Sequence, residues 1–244
     1  QKELETLENM RNTAFNVNSQ MTVVTGRRRI GKTKLILKSC ENTPMVYWFV
    51  SRTNEAELCQ QFISIIRQSL DVFVPDGISN FSDVFRMAME IGKTKKFNLI
   101  IDEFQELYQI NASVFSYMQN IWDSLKDSTN VNLIVSGSVY TMMHKIFQDS
   151  KEPLFGRANC IMRIKPFGVD VLKQILSDYN SHYKNDDLLA LYAFTGGVPK
   201  YVELLMDRKS VSVGKMIRQL TEENSIFIEE GNVMLIQEFG KKYG

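Results

Sequence analysis

Cysteine is scarce in this chain of 244 residues, which has three cysteines, Cys40, Cys59 and Cys160, far apart in sequence. An odd number at this spacing favours neither a disulfide framework nor a zinc site and is typical of a reducing compartment. Apolar runs never approach about 18 residues, and no signal-peptide pattern opens the chain. The sequence therefore predicts a cytoplasmic protein that neither spans a membrane nor is secreted.

A strong net charge is also lacking, since the formal value is +1, so no global basic field is available for holding nucleic acid. The 44% hydrophobic fraction and the length allow one large α/β domain, or a medium domain with a smaller one attached. A helical pattern is already under way at Leu4, Leu7 and Met10, and another ends just before Lys241. We expect the chain to be a piece of a longer protein.

The most informative stretch is 26–33, GRRRIGKT, in which two glycines lie five positions apart and the second precedes a lysine and a threonine. It follows the β-branched run 21–25 and precedes an apolar helical pattern, which is the strand, loop and helix context of a phosphate-binding loop. Backbone N–H groups of such a loop and the following helix start bind polyphosphate. Lys32 is expected on the β and γ phosphates and Thr33 on Mg²⁺. The residues predicted to contact the nucleotide are Gly26, Arg27, Arg28, Arg29, Ile30, Gly31, Lys32, Thr33 and Lys34.

A hydrophobic strand at 97–101 ends in two carboxylates, Asp102 and Glu103. Beside a phosphate loop, the aspartate is expected to hold Mg²⁺ and the glutamate to orient and polarise the attacking water. The alternative is that the acidic pair only caps the helix that follows. A glutamate directly after the aspartate favours ATPases of the additional-strand class, and a GTPase is disfavoured because the guanine-reading Asn-Lys-x-Asp motif is missing.

Two further residues are candidates for a role at the γ-phosphate, and each also has a purely structural interpretation. Ser138 follows the strand pattern 131–136, where its hydroxyl would sense the γ-phosphate or hold the water, or would merely cap the next helix. Arg157 lies in a loop before the alternating segment 159–165, where it would complement charge on the γ-phosphate, or would be a solvated surface charge.

The composition changes near residue 166. Upstream, strand patterns alternate with amphipathic helices, and downstream every pattern is helical. We therefore predict an α/β core over residues 1–165 and a smaller helical domain over 166–244. Between two of the later helices lies the turn 195–199, TGGVP, in which glycine ends one helix and proline suits the first turn of the next.

Five motifs occur in the order typical of one family: 26–33 GRRRIGKT, 99–107 LIIDEFQEL, 136–138 SGS, 153–157 PLFGR and 196–201 GGVPKY. Together they resemble the archaeal-type P-loop ATPases, near the AAA+ and STAND ATPases. The resemblance implies a P-loop NTPase fold with a five-stranded parallel sheet of order 5-1-4-3-2, followed by a helical lid. It also implies that Pro199 approaches the base and that Arg157 serves the γ-phosphate.

The resemblance implies Mg²⁺-dependent ATP binding and slow hydrolysis by a nucleotide-driven switch. Alternatives are a nucleotide-binding scaffold without turnover, and an ATPase subunit of a DNA-associated complex. A homo-oligomer and a protein partner are compatible with the family, whereas DNA would be bound through domains that this chain lacks. One departure is that only the tail, 2–5 KELE, of the Gly-Arg-x-x-Glu-Leu box of relatives is visible.

Overall fold

A computed structural model describes residues 2–222 and Phe227. The chain divides into two compact units, Gln1–Ile164 and Lys165–Gly244. Part of the helical domain predicted for 166–244 therefore lies outside the described residues. Within the described ranges, no helix combines the length and the apolar character that crossing a membrane requires.

The first unit is built on a five-stranded sheet. Its strands are β1 (Gln20–Thr25), β2 (Met45–Phe49), β3 (Phe97–Asp102), β4 (Val131–Gly137) and β5 (Cys160–Arg163). All neighbouring pairs are parallel, and the order across the sheet is β2-β3-β4-β1-β5. Read from the other edge this is 5-1-4-3-2, so the predicted sheet is confirmed.

Helices cover both faces of the sheet. They are α1 (Lys2–Asn16), α2 (Lys32–Ser39), α3 (Glu55–Leu70), α4 (Phe81–Ile91), α5 (Leu107–Ile110), α6 (Val114–Leu125) and α7 (Tyr140–Gln148), with short 3₁₀ turns at Phe104–Glu106 and Lys126–Ser128. Every residue of β1, β3 and β4 is buried, as expected for parallel strands covered on both sides. Strand side chains on one face of the sheet, including Leu99, pack in a large core with α3, α4, α6 and α7. Side chains on the opposite face, including Ile100, pack with α1 and α2.

A polar contact joins β3 and β4 near their amino ends. Asn98 of β3 and Asn132 of β4 lie opposite each other in register, and both are buried. The Asn132 amide Nδ2 donates to Asn98 Oδ1 at 2.9 Å, and Asn98 Nδ2 donates to the Thr43 hydroxyl at 2.9 Å. A buried amide needs such partners, since an unpaired one costs about 1–3 kcal/mol. The contact therefore joins β3 to β4 through side chains as well as backbone.

The second unit is helical over its described part. Its helices are α8 (Val169–Tyr179), α9 (Asn185–Thr195), α10 (Pro199–Asp207) and α11 (Val213–Thr221). Their apolar faces form a separate small core that includes Leu176, Leu191 and Leu205. The turn between α9 and α10 is formed by Gly196 and Gly197, both with positive φ. The backbone N–H of Phe167 donates to the Gly197 carbonyl at 2.8 Å, which fixes the start of this unit against the turn.

Candidate functional site

The loop at 26–33 leads from the carboxyl end of β1 to the first residue of α2. Thr25, the last residue of β1, lies between Gly137 of β4 and Arg163 of β5. Gly31 stands at the start of α2 with φ +88 and ψ 17, a left-handed conformation that favours glycine. The turn there lets α2 begin at once with Lys32. A helix start at the carboxyl edge of a parallel sheet is a suitable place for an anion.

Lys32 is folded into its own loop. It is 7% exposed, and its Nζ donates to the carbonyl oxygens of Gly26 at 2.9 Å and Arg27 at 3.1 Å. Burial lowers the pKa of this ammonium group, and the carboxylates of Glu103 and Asp102 oppose part of that shift. The loop therefore holds a buried cation against two carbonyl oxygens.

The other predicted loop residues differ in exposure. Ile30 is only 3% exposed and packs the loop against the core. Four other loop residues have exposed side chains: Arg27, Arg28, Arg29 and Lys34. With a buried apolar residue and exposed cations, one loop can offer both backbone N–H groups and positive charge to a ligand.

Asp102 is the centre of a hydrogen-bond cluster at the end of β3. Its Oδ2 accepts from the Thr33 hydroxyl at 2.8 Å and from the Tyr47 hydroxyl at 2.9 Å. Its Oδ1 accepts from the Ser136 hydroxyl at 2.6 Å and from the Glu103 backbone N–H at 3.0 Å. Burial alone would raise the pKa of Asp102, but these four donors outweigh it and lower the pKa. The carboxylate stays ionised.

The pair of Thr33 and Asp102 has the chemistry of a Mg²⁺ site. A hydroxyl and a carboxylate oxygen are hard ligands, and Mg²⁺ in phosphate-binding enzymes takes one or two protein ligands of this kind together with waters and phosphate oxygens. Thr33 and Asp102 come from different elements, α2 and β3, and their oxygens lie 2.8 Å apart. The residues therefore fit the metal that the sequence predicted.

Glu103 is held in an unusual backbone conformation directly after β3. Its φ is 53 and its ψ is 40, left-handed values that cost a residue other than glycine about 1–3 kcal/mol. Its Oε2 accepts from the Ser138 hydroxyl at 2.9 Å and from Gln105 Nε2 at 2.6 Å. The Glu103 side chain makes no capping bond to the following 3₁₀ turn. Strain of this kind at a charged residue is typical of functional sites.

Ser138 is likewise engaged with Glu103 and not with a helix end. The residue at the N-cap of α7 is Val139, and α7 has no side-chain capping bond. The capping alternatives considered for Glu103 and Ser138 are thus not what the structure shows. The two side chains instead contact each other across the ends of β3 and β4.

Sequence reasoning missed three members of this cluster, Tyr47, Ser136 and Gln105. Tyr47 reaches Asp102 from β2 and Ser136 reaches it from β4, so the two strands beside β3 each supply one donor. Burial and the neighbouring Asp102 carboxylate raise the pKa of Tyr47, so its hydroxyl remains a donor. The sequence signals for the first two were a tyrosine within β2 and a serine one residue before the end of β4.

Arg157 is placed elsewhere. Its guanidinium contacts the Asp123 carboxylate at 3.0 Å and the Phe155 carbonyl at 2.8 Å. Two residues later, Asn159 donates to the Met21 carbonyl near the start of β1. A strand rises about 3.3 Å per residue, so Thr25 lies about 13 Å further along β1. Arg157 therefore lies at the amino edge of the sheet, opposite to the loop of its own chain.

The structure brings together Lys32, Thr33, Asp102, Glu103 and Ser138, and it does not bring Arg157 to them. Pro199 occupies the first position of α10 in the second unit, as the sequence predicted for a helix start.

Comparison with known proteins adds a family and a fold. A family model described as an ATPase domain predominantly from Archaea matches residues 1–205. An uncharacterised protein of Methanocaldococcus jannaschii is 31% identical over 186 residues, which are 76% of this chain and 39% of that protein. The chain thus spans well under half the length of this relative.

Solved structures with a similar fold include two archaeal proteins. The Walker-type ATPase of Pyrococcus abyssi matches 100% of this chain and 75% of its own, with a TM-score of 0.69 and 20% identity. The ORC2 protein of Aeropyrum pernix, solved as ADPNP and ADP complexes, matches 88% of this chain and 65% of its own, with a TM-score of 0.58 and 12% identity. At these identities the likeness concerns the fold.

Proposed function

The chain belongs to the family of ATPase domains found predominantly in Archaea, and on that premise we propose that it binds ATP with Mg²⁺ in the loop 26–33, hydrolyses the ATP slowly and acts as a nucleotide-driven switch. The first unit has the P-loop NTPase fold. The observation that carries the proposal is the 2.8 Å contact between Thr33 and Asp102, since it joins the loop to the acidic end of β3.

Binding begins with the loop. The N–H groups at the start of α2 and the Lys32 ammonium are the donors for the β and γ phosphates. In the structure Lys32 donates to the carbonyls of Gly26 and Arg27, and phosphate oxygens replace these acceptors when the nucleotide binds. A charged acceptor gives a stronger hydrogen bond than a neutral carbonyl, so the exchange is favourable.

Thr33 and Asp102 are the residues that hold Mg²⁺. When bound, the ion neutralises charge on the phosphate oxygens during phosphoryl transfer. The hydrogen bonds from Tyr47 and Ser136 keep Asp102 ionised and oriented, and so they support the ligand from the second coordination sphere.

Glu103 orients and polarises the attacking water. Its carboxylate is fixed by Ser138 and Gln105, so its free lone pairs have a defined direction. Ser138 belongs to the same water site, because its hydroxyl can donate to Glu103 and accept from the water. This arrangement argues against a scaffold without turnover, which has no need of a strained glutamate there.

The second unit is the proposed lid, and Pro199 is its proposed contact with the base. The core would then occupy residues 1–165 and the lid 166–244. We further propose a cytoplasmic protein that forms a homo-oligomer or engages a protein partner, with DNA bound only through domains outside this chain.

ATP turnover of the full-length protein, measured at several concentrations with and without DNA, tests the proposal. Wild type should release phosphate slowly, and Glu103→Gln should still bind ATP while turnover falls by on the order of 10²-fold or more, because the charge that polarises water is lost. Glu41→Gln, at a surface ion pair with Lys38, is the control and should match wild type. Wild-type turnover in Glu103→Gln would contradict the role of Glu103, and stimulation by DNA would favour the DNA-associated complex.

A further inference from the structure

Arg163 ends β5 at the carboxyl edge of the sheet, beside the phosphate loop. Its register partner is Thr25, the residue before the loop, and paired strands lie about 4.8 Å apart. The neighbours Met162 and Ile164 pack in the core beneath α1 and α2. Because side chains alternate along a strand, the exposed Arg163 side chain lies on the other face, the face covered by α7.

The guanidinium of Arg163 stacks on an aromatic ring that belongs to the site edge. Its central carbon lies 4.5 Å from the centroid of the Tyr140 ring. Tyr140 opens α7 two residues after Ser138, whose hydroxyl contacts Glu103. Arg163 starts from β5 and Tyr140 from the end of β4, so the stacked pair bridges the end of β1 between them.

Arg163 has no carboxylate partner among the residues that the structure describes. Arg157, in contrast, is paired with Asp123. Stacking on an exposed tyrosine is a weak interaction, whereas an arginine that meets a phosphate forms two parallel charge-assisted hydrogen bonds. In the described part of the chain this guanidinium contacts a ring and no carboxylate, one strand away from a phosphate loop, so phosphate oxygens can displace the ring.

We propose that Arg163 binds the terminal phosphate of ATP held in the loop of its own chain, and that Tyr140 holds the guanidinium when that phosphate is absent. The inference rests on the proposed function. The terminal phosphate is favoured over the others because Tyr140 directs Arg163 towards the end of β4, where Ser138 and Glu103 lie. Arg157 lies too far from the loop of its own chain to contact this phosphate, and Arg163 takes that role instead.

The test is calorimetric titration of the full chain with Mg²⁺ and either ADP or AMP-PNP, an ATP analogue that is not hydrolysed. Arg163→Ala should weaken AMP-PNP binding roughly tenfold or more and leave ADP within about twofold of wild type. Arg163→Lys should recover part of the loss, because it keeps the charge and loses the planar fork. Arg86→Ala, which removes an exposed arginine of α4, is the matched control and should bind both nucleotides like wild type.

The outcomes distinguish a wrong role for Arg163 from a wrong proposed function. Unchanged affinity of Arg163→Ala for both nucleotides, in a protein whose wild type binds them, would overturn the inference alone. An equal loss for ADP and AMP-PNP would overturn the assignment to the terminal phosphate. If wild type binds neither nucleotide, the proposed function itself is wrong. Matching thermal unfolding curves of the variants show that the comparison is between folded proteins.

Discussion

At the scale of single residues, Lys32 offers the sharpest test of nucleotide binding. Lys32→Ala should weaken Mg·ATP binding by on the order of 10²-fold, which corresponds to the loss of about 3 kcal/mol of charge-assisted hydrogen bonding. Calorimetric titration measures it. Lys38→Ala, an exposed lysine on the same helix, is the control and should bind like wild type. Equal affinities of Lys32→Ala and Lys38→Ala would exclude Lys32 from the phosphate site.

Asp102 should make the free energy of unfolding depend on pH in the acidic range. Its pKa is lowered in the folded chain, so below about pH 5 the unfolded chain takes up a proton that the folded chain resists. The stabilisation from Asp102 is present in full above the ordinary carboxylate pKa and is lost as the pH falls through the lowered one. Asp102→Asn should therefore lose less stability than wild type between pH 6 and pH 3.

Urea unfolding midpoints across that pH range measure the effect. Asp76→Asn, which removes a carboxylate that is 93% exposed, is the surface control. Parallel curves for wild type and Asp102→Asn would show that Asp102 does not bind its four donors in solution.

How much of the site could be predicted differs from residue to residue. The contact of Thr33 with Asp102 follows from a motif and a strand end, which are local patterns. Tyr47 and Ser136 depend on the register of three parallel strands, which no local pattern specifies. The prediction for Arg157 relied on its position in a loop. The sequence did not reveal that the Asn159 N–H donates to the Met21 carbonyl and so holds this loop at the start of β1.

At the scale of elements, the turn between α9 and α10 contains a matched pair of glycines. A Cβ at Gly197 would lie 2.3 Å from the Phe167 carbonyl oxygen, whereas one at Gly196 would meet nothing within 4 Å. Both residues have positive φ, so alanine is strained at either position. Gly197→Ala should lower the free energy of unfolding by about 1–3 kcal/mol more than Gly196→Ala.

Thermal unfolding of the two variants measures this difference, and hydrogen exchange in α9 and α10 locates it. The second unit should lose protection in Gly197→Ala before the sheet does. If the two alanines destabilise equally, the close approach of Phe167 to the turn is not retained in solution.

Strand existence was easier to predict than strand ends. Continuous apolar runs predicted the central strands because both of their faces are covered. The predicted segment 159–165 is longer than β5, which spans Cys160–Arg163. Among the described residues β5 is an edge strand that pairs with β1 alone, so its length is set by that pairing and not by its own alternation.

At the scale of the whole molecule, the position of Arg157 predicts that one chain contributes to ATP hydrolysis in a neighbouring chain. An arginine at the amino edge of the sheet can meet a phosphate only in a neighbouring chain, and such an arginine is worth roughly 10³ to 10⁵ in rate. Turnover per subunit should rise with protein concentration. Mixing Arg157→Ala with Lys32→Ala should restore activity, because each variant supplies what the other lacks.

Phosphate release measured across a dilution series, with each variant alone as the control, decides this point. Turnover per subunit that stays flat while the protein passes from monomer to oligomer, with no gain on mixing, would mean that Arg157 only pairs with Asp123 on the surface of its own chain.

The buried amides at the amino end of the sheet bear on the chemistry at its other end. Between their polar residues, β3 and β4 are aliphatic and buried on both faces, so hydrophobicity alone would tolerate a slipped alignment of the two strands. A slip by one residue would set Asn98 against an aliphatic neighbour and deprive its Oδ1 of the Asn132 donor. Asp102 follows Asn98 by four positions, and Ser136 follows Asn132 by four. The same alignment that pairs the two asparagines thus brings the serine hydroxyl to the aspartate, so the amide pair specifies the strand register on which the acidic centre depends.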